Sequence, residues 1–204
     1  MALGKKALAG LLIHLQNKVY DYLRAIENNS DFVNLDKVNS FLWKNFGVRE
    51  LPKTLDQAFD RLYRPIRVCG VVANTGAPGG GPFWVQNEKR TSLQILESAQ
   101  FNQSNSGHRD ILARATYFNP VDLVCGLRDH NSNPYDLVKF CDSNMSFITD
   151  KVHQGKPVKV LELPGLWNGS MAGWNTVFVA VSSDTFNPVK TVNDLLNEAH
   201  RPII

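Results

Sequence analysis

At Pro65 the spacing of apolar residues changes period, and no other feature of this sequence restricts its fold so strongly. Before that point Leu8, Leu11, Leu12, Leu15, Val19, Tyr22, Leu23 and Ile26 recur three and four residues apart. That spacing puts them on one face of a helix. Asn28-Asn29-Ser30 ends it. A second helix is predicted from Asp36 to Asn45, with Val38, Phe41 and Leu42 inward and Gly47 just past its end. A third starts after Thr54, a good N-cap, with Gln57 three residues on as in a capping box. It carries Leu55, Phe59 and Leu62 and stops before Pro65.

After Pro65 the chain reads in strands. Ile66 to Val72 is short, apolar and β-branched. Asn74 to Pro82 follows, a glycine- and proline-rich stretch that no helix or strand interior is expected to hold. Leu93 to Leu96 is a second strand and Asn102 to Gly107 a polar loop. A third strand lies within Tyr117 to Leu127, after Pro120, and Leu137 to Cys141 suits a helical turn. Val158 to Leu163 and Thr176 to Ser182 are further strands, and Val192 to Ala199 a short closing helix. The expected class is α/β, with mixed α+β the close alternative: a helical N-terminal leader packed on a mixed sheet. Residues 1–65 form the leader and 66–204 the sheet part of a single compact unit.

Composition narrows the function. The 204 residues are 43% hydrophobic and 20% charged, ordinary globular values. The net charge of +3 is small and the basic residues are scattered. No nucleic-acid polymer is expected as partner. Leu8 to Leu15 contains His14 and runs into Gln16, Asn17 and Lys18 with no small-residue cleavage site, so it is not read as a signal peptide. No apolar run reaches the ~18 residues of a membrane span. The odd set Cys69, Cys125 and Cys141 is read as reduced core thiols of a cytoplasmic protein. Those cysteines and the five histidines lack metal-ligand spacing, so no metal site is expected.

Four places carry candidate chemistry. The backbone of Gly79-Gly80-Gly81 can approach a phosphate or simply form a structural loop. It matches neither of the two common phosphate-loop patterns. Glu97 ends an apolar strand, where a carboxylate can accept hydrogen bonds from sugar hydroxyls or face water. Asn119-Pro120 is either a turn or a side-chain amide reading a polar ligand. Lys190 stands between a strand and a helix, where it can meet a phosphate or be solvated. The Trp- and Gly-rich stretch Trp167 to Asn175 fits a ligand-lining loop and ordinary packing equally.

Several of these segments together resemble the UDP-sugar pyrophosphorylases. Leu96-Glu97-Ser98-Ala99-Gln100 is similar to their LE-x-AQ segment, and Val71-Val72 to the strand leading into their glycine-rich loop. Leu161-Glu162 fits a further strand, and Phe186 to Leu196 resembles their F-x-PVK-(x)3-DLL segment. Order and approximate spacing agree over about residues 66 to 198. The whole chain is more similar still to the C-terminal region of a bacterial family of unknown function. That likeness rests on Gly79 to Phe83, Phe118 to Cys125 and Leu161 to Gly169.

The resemblance implies a transferase-like sheet in which Glu97 and Asn119 orient the sugar, Gly79, Gly80 and Gly81 lie close to it, and Lys190 approaches the phosphates. It implies a sugar 1-phosphate or nucleotide-sugar as ligand. Two parts of the family pattern are not found: a leading glycine-rich loop with Arg and Lys, and an acidic strand end that helps hold Mg2+. The expectation is therefore a piece of a longer protein, partnered by the missing N-terminal region of its own chain. It would need no cofactor itself, with Mg2+ expected for the full-length protein. Two other readings stay open: a binding module for nucleotide-sugars or glycans without turnover, and a purely structural domain.

Overall fold

The computed structural model describes residues 2–30, 33–76, 79–87, 90–189 and 191–201. Three helices lead: α1 (Ala2–Glu27), α2 (Leu35–Phe46) and α3 (Leu55–Leu62). On α1, Leu8, Leu12, Leu15, Val19 and Leu23 are buried, the stripe that the spacing predicts. Each such side chain contributes about 1.5–3 kcal/mol on leaving water. The Ser30 N–H donates to the Ala25 carbonyl at 3.0 Å and closes the last turn. Asn34 caps α2, its side chain accepting from the Lys37 N–H at 2.8 Å. Gly47 ends α2 at φ 61°, a conformation that glycine adopts without strain. The Thr54 hydroxyl accepts from the Gln57 N–H, but the Gln57 side chain reaches the Lys53 N–H at 2.9 Å. The expected capping box is thus displaced by one residue.

β1 (Ile66–Ala73) is the centre of a three-stranded sheet. It pairs antiparallel with β4 (Tyr117–Gly126) and parallel with β7 (Asn175–Ala180), so the sheet is mixed. Ile66 and Val68 join the helices in one core with Val38, Leu42, Phe46, Ala58 and Leu62. The leader therefore covers one face of the sheet. Two antiparallel ribbons complete the strands: β2 (Gly81–Gln86) with β3 (Thr91–Leu96), and β5 (Phe147–His153) with β6 (Lys156–Glu162). No helix among the described residues is long and apolar enough to cross a membrane.

Further departures from the sequence reading begin with β4, which starts at Tyr117 and runs through Pro120 instead of beginning after it. Gly81 and Pro82 open β2 instead of staying in the loop. Proline is tolerated there because β2 has a ladder partner on one side only, among the described residues. β5 was not expected; it turns into β6 at Gln154 and Gly155, both at positive φ, as in a two-residue hairpin turn. A helix α4 (Ser106–Ala113) occupies part of the polar region. It buries no residue, so apolar periodicity could not announce it. The closing helix is instead two 3-10 turns, Val192–Leu196 and Glu198–His200. Val192, Leu195 and Leu196 stay exposed, and a short helix without a face to bury is marginal. Of the three thiols only Cys69 is buried; Cys125 is half-buried and Cys141 exposed.

Candidate functional site

β1 and β4 pair regularly from Ile66–Gly126 to Gly70–Asp122. Beyond that the ladder slips twice: Val71 faces Pro120 and Ala73 faces Tyr117. Each slip adds one residue to β4, so the strand bulges on both sides of Pro120. Bulges bend a strand and re-aim its residues, and they recur beside functional sites. Asn119 lies on this bulged stretch.

The glycine-rich loop meets the same corner. Gly81 pairs with Leu96 at the start of β2. A Cβ at Gly80 would stand 2.1 Å from the Leu96 carbonyl oxygen and 3.0 Å from the Glu97 Cα. A Cβ at Gly81 would stand 2.8 Å from the Tyr117 carbonyl oxygen. Three backbones therefore converge at distances that only glycine permits. The need for glycine at 80 and 81 is met by the protein's own chain. Gly79, half-buried, leads into this contact.

Glu97 follows β3 directly and is half-buried. Its N–H donates to the Gln100 side-chain oxygen at 2.9 Å, fixing the 3-10 turn Ser98–Gln100 behind it. Gln100 in turn reaches the Met145 carbonyl. Phe83 of β2 packs on Phe101 at 4.9 Å between ring centroids, and His108 meets Phe101 edge-on. Gln100, Phe101 and Tyr117 are residues that reasoning on motifs passed over as site-formers. The LE-x-AQ likeness pointed at Gln100 without assigning it a part.

The segment Phe186 to Val189 is tied to the same corner, because Phe186 packs against Phe118 with ring centroids 5.3 Å apart. Lys190 lies outside the described residues. The structure thus brings Gly80, Gly81, Glu97 and the strand carrying Asn119 together, with the start of the Lys190 segment beside them. A half-buried carboxylate in such a corner can accept hydrogen bonds from hydroxyls, and backbone N–H groups can face an anion.

Other candidates resolve into scaffold. In the Trp167 to Asn175 stretch Asn168, Met171, Ala172, Trp174 and Asn175 are buried in packing, while Gly173 lines a separate cleft. Burial pushes the Cys69 thiol up to about 12 and raises Cys125, so neither is an activated nucleophile. Among the described residues no three of His, Cys, Asp and Glu gather as metal ligands.

No curated protein matches the chain. Among solved structures it is similar to a mutant UDP-glucose pyrophosphorylase of Leishmania major in complex with UDP-glucose. The two are 15% identical with a TM-score of 0.40, over 78% of this chain and 38% of that one. The family model described as domain of unknown function (DUF4301) matches residues 1–201, and the chain belongs to that family.

Proposed function

We propose that this chain is the sugar-phosphate-recognising part of a nucleotidyltransferase-like protein that joins a sugar 1-phosphate to UTP. One observation carries the reading. Segments read separately as likenesses to the UDP-sugar pyrophosphorylases, at 79–81, 96–97 and the start of 186–196, meet where the end of the β2–β3 ribbon abuts the bulged stretch of β4 that holds Asn119. In the proposal Glu97 and Asn119 hold the sugar hydroxyls. The Gly79 to Gly81 backbone lies along the ligand, and Lys190 offsets phosphate charge. Such a transfer is an in-line displacement at phosphorus, in which positioning and charge stabilisation are the protein's main contributions. Mg2+, expected for the full-length protein, finds no gathered carboxylates among the described residues. No step is routed through it.

Isothermal titration with glucose 1-phosphate, UDP-glucose and UTP tests the proposal. The sugar phosphate or nucleotide-sugar is expected to bind, and Glu97→Gln to weaken binding by about 1–3 kcal/mol, roughly 5- to 150-fold, with the fold intact. Lys190→Ala should weaken the phosphate-bearing ligands alone. Equal affinity in wild type and Glu97→Gln would sink the site. A binding module without turnover gives the same titration, and is told apart by the absence of pyrophosphate release in the full-length protein.

A further inference from the structure

At the opposite end of the β2–β3 ribbon lies a cleft of about 1220 Å3. It is bounded by Arg64 after α3, by Gln86, Asn87 and Arg90 at the ribbon's end, and by Phe140, Cys141, Asp142 and Asn144. The five residue steps from Gly81 to Gln86 span ~16 Å of strand, so this cleft is separate from the Glu97 corner.

Its two arginines are held by backbone carbonyls, while Lys139 at its edge pairs with Asp136 at 3.8 Å. Arg64 donates through Nη1 to the Gly173 carbonyl at 3.0 Å and through Nε to the Asp60 carbonyl at 3.1 Å. Arg90 donates through Nη2 to the Ala172 carbonyl at 3.3 Å. Those carbonyls sit on a rigid wall. The Gly173 N–H donates to the Phe140 carbonyl at 2.8 Å, and a Cβ at Gly173 would meet that oxygen at 2.8 Å. Beside them Arg61 has a buried Nη1 with no hydrogen-bond partner. Among the described residues no carboxylate lies within ion-pair distance of Arg61, Arg64 or Arg90.

Three acids stand nearby without reaching ion-pair distance: Asp60 and Asp142 line the cleft, and Glu50 acts on Arg61 and Arg90. Asp142 accepts from the Asn144 N–H at 3.0 Å, and Glu50 from the Thr91 N–H at 3.0 Å. Burial, then the charges of Arg64 and Arg90, pushes the Arg61 guanidinium well below its ordinary range; burial, then Arg90, does the same to Arg64. Glu50, Asp60 and Asp142 offset these charges only from beyond ion-pair distance, so the desolvated like charges stay costly to assemble, and a bound anion relieves that cost. Guanidinium groups fixed by carbonyls present their remaining N–H donors in a fork that suits phosphate.

We propose that the Arg64–Arg90 cleft is a binding site for a small phosphate-bearing molecule, separate from the Glu97 corner. Arg64 and Arg90 grip the phosphate, Arg61 adds charge from behind, and Lys139 stands at the rim. Gln86, Asn87 and Asn144 line the remaining space, which exceeds the volume of a bare phosphate.

Thermal shift and titration of this chain with sodium pyrophosphate, against sodium chloride at matched ionic strength, test it. The expected result is a saturable rise in Tm with pyrophosphate only. Arg90→Gln and Arg64→Gln should weaken binding at least tenfold, and Lys139→Ala, at an exposed position where folding is not at stake, by a few-fold. Glu97→Gln should leave pyrophosphate binding unchanged, which keeps this site's failure distinct from failure of the sugar corner. An equal rise with chloride overturns the proposal. So does pyrophosphate affinity unaltered in both Lys139→Ala and a folded Arg90→Gln. Binding of a single-stranded oligonucleotide in preference to pyrophosphate also overturns it, in favour of an open polyanion face.

Discussion

On one face of β1, Ile66 and Val68 meet the apolar stripes of the helical leader, and Leu8 fills the space a side chain at Gly70 would take. On the other face Arg67, only 2% exposed, donates through Nε to the Thr176 hydroxyl at 2.8 Å and faces Gln94 at 3.5 Å. Gln94 then donates to the Ala172 carbonyl at 2.9 Å. Both faces are buried, because strand side chains alternate and both sides of β1 are covered. Apolar contact is non-directional and tolerates many partners; the Arg67 chain of donors and acceptors has one arrangement. That chain also fixes the Ala172 to Gly173 wall on which Arg64 and Arg90 rest, so the polar face carries the anion cleft while the apolar face carries stability.

The contrast can be broken hardest on the apolar side. Leu23→Ala, at a fully buried position, is expected to cost about 2–5 kcal/mol in urea unfolding. On the polar side Arg67→Ala should cost about 2–3 kcal/mol, because Thr176 and Gln94 lose a buried donor. Arg67→Met should cost less, since it keeps most of the volume and removes the desolvated charge. If Met costs as much as Ala, the guanidinium and not the space it fills decides stability.

A smaller effect sharpens the comparison where polar chemistry crosses to the helical side. The buried Asp129 carboxylate accepts from the N–H groups of Asn131 and Asn133, each at 2.9 Å, and from the Tyr63 hydroxyl at 3.0 Å. Burial alone would raise its pKa; these hydrogen bonds more than offset that and hold it below the usual carboxylate range. A depressed folded pKa means a stabilisation fully present above the unfolded value of about 4 and lost as pH falls through the folded one. Asp129→Asn is thus expected to cost about 1 kcal/mol at pH 7, with the difference shrinking toward pH 3. A difference in Tm that stays constant between pH 7 and pH 3 would remove the charge from this account.

Legibility follows the same division. Helix caps were readable at Asn28-Asn29, Thr54 and Gly47 because capping is decided within four residues of chain. β1 was readable from its apolar run. β2 hid behind Gly81-Pro82, and β5 behind its mixed, mostly exposed residues. Within the candidate site, Glu97 and the glycines stood out through their likeness to a family segment. Their meeting with Tyr117 did not, since that contact joins strands distant in sequence. Arg61, Arg64 and Arg90 looked like scattered charges, and nothing local distinguishes them from solvated ones.

The amino-acid sequence alone determined the three leading helices, the central strand and the mixed layer class, because apolar period and capping act over a few residues. Only the tertiary structure decided that Gly80 and Gly81 press against Leu96 and Tyr117, that β4 bulges around Pro120, and that Arg64 and Arg90 line one cleft with Arg61 behind them and, among the described residues, no carboxylate at ion-pair distance. Those are matters of which distant backbones and charges become neighbours, and neighbourhood is set by the closing of the sheet.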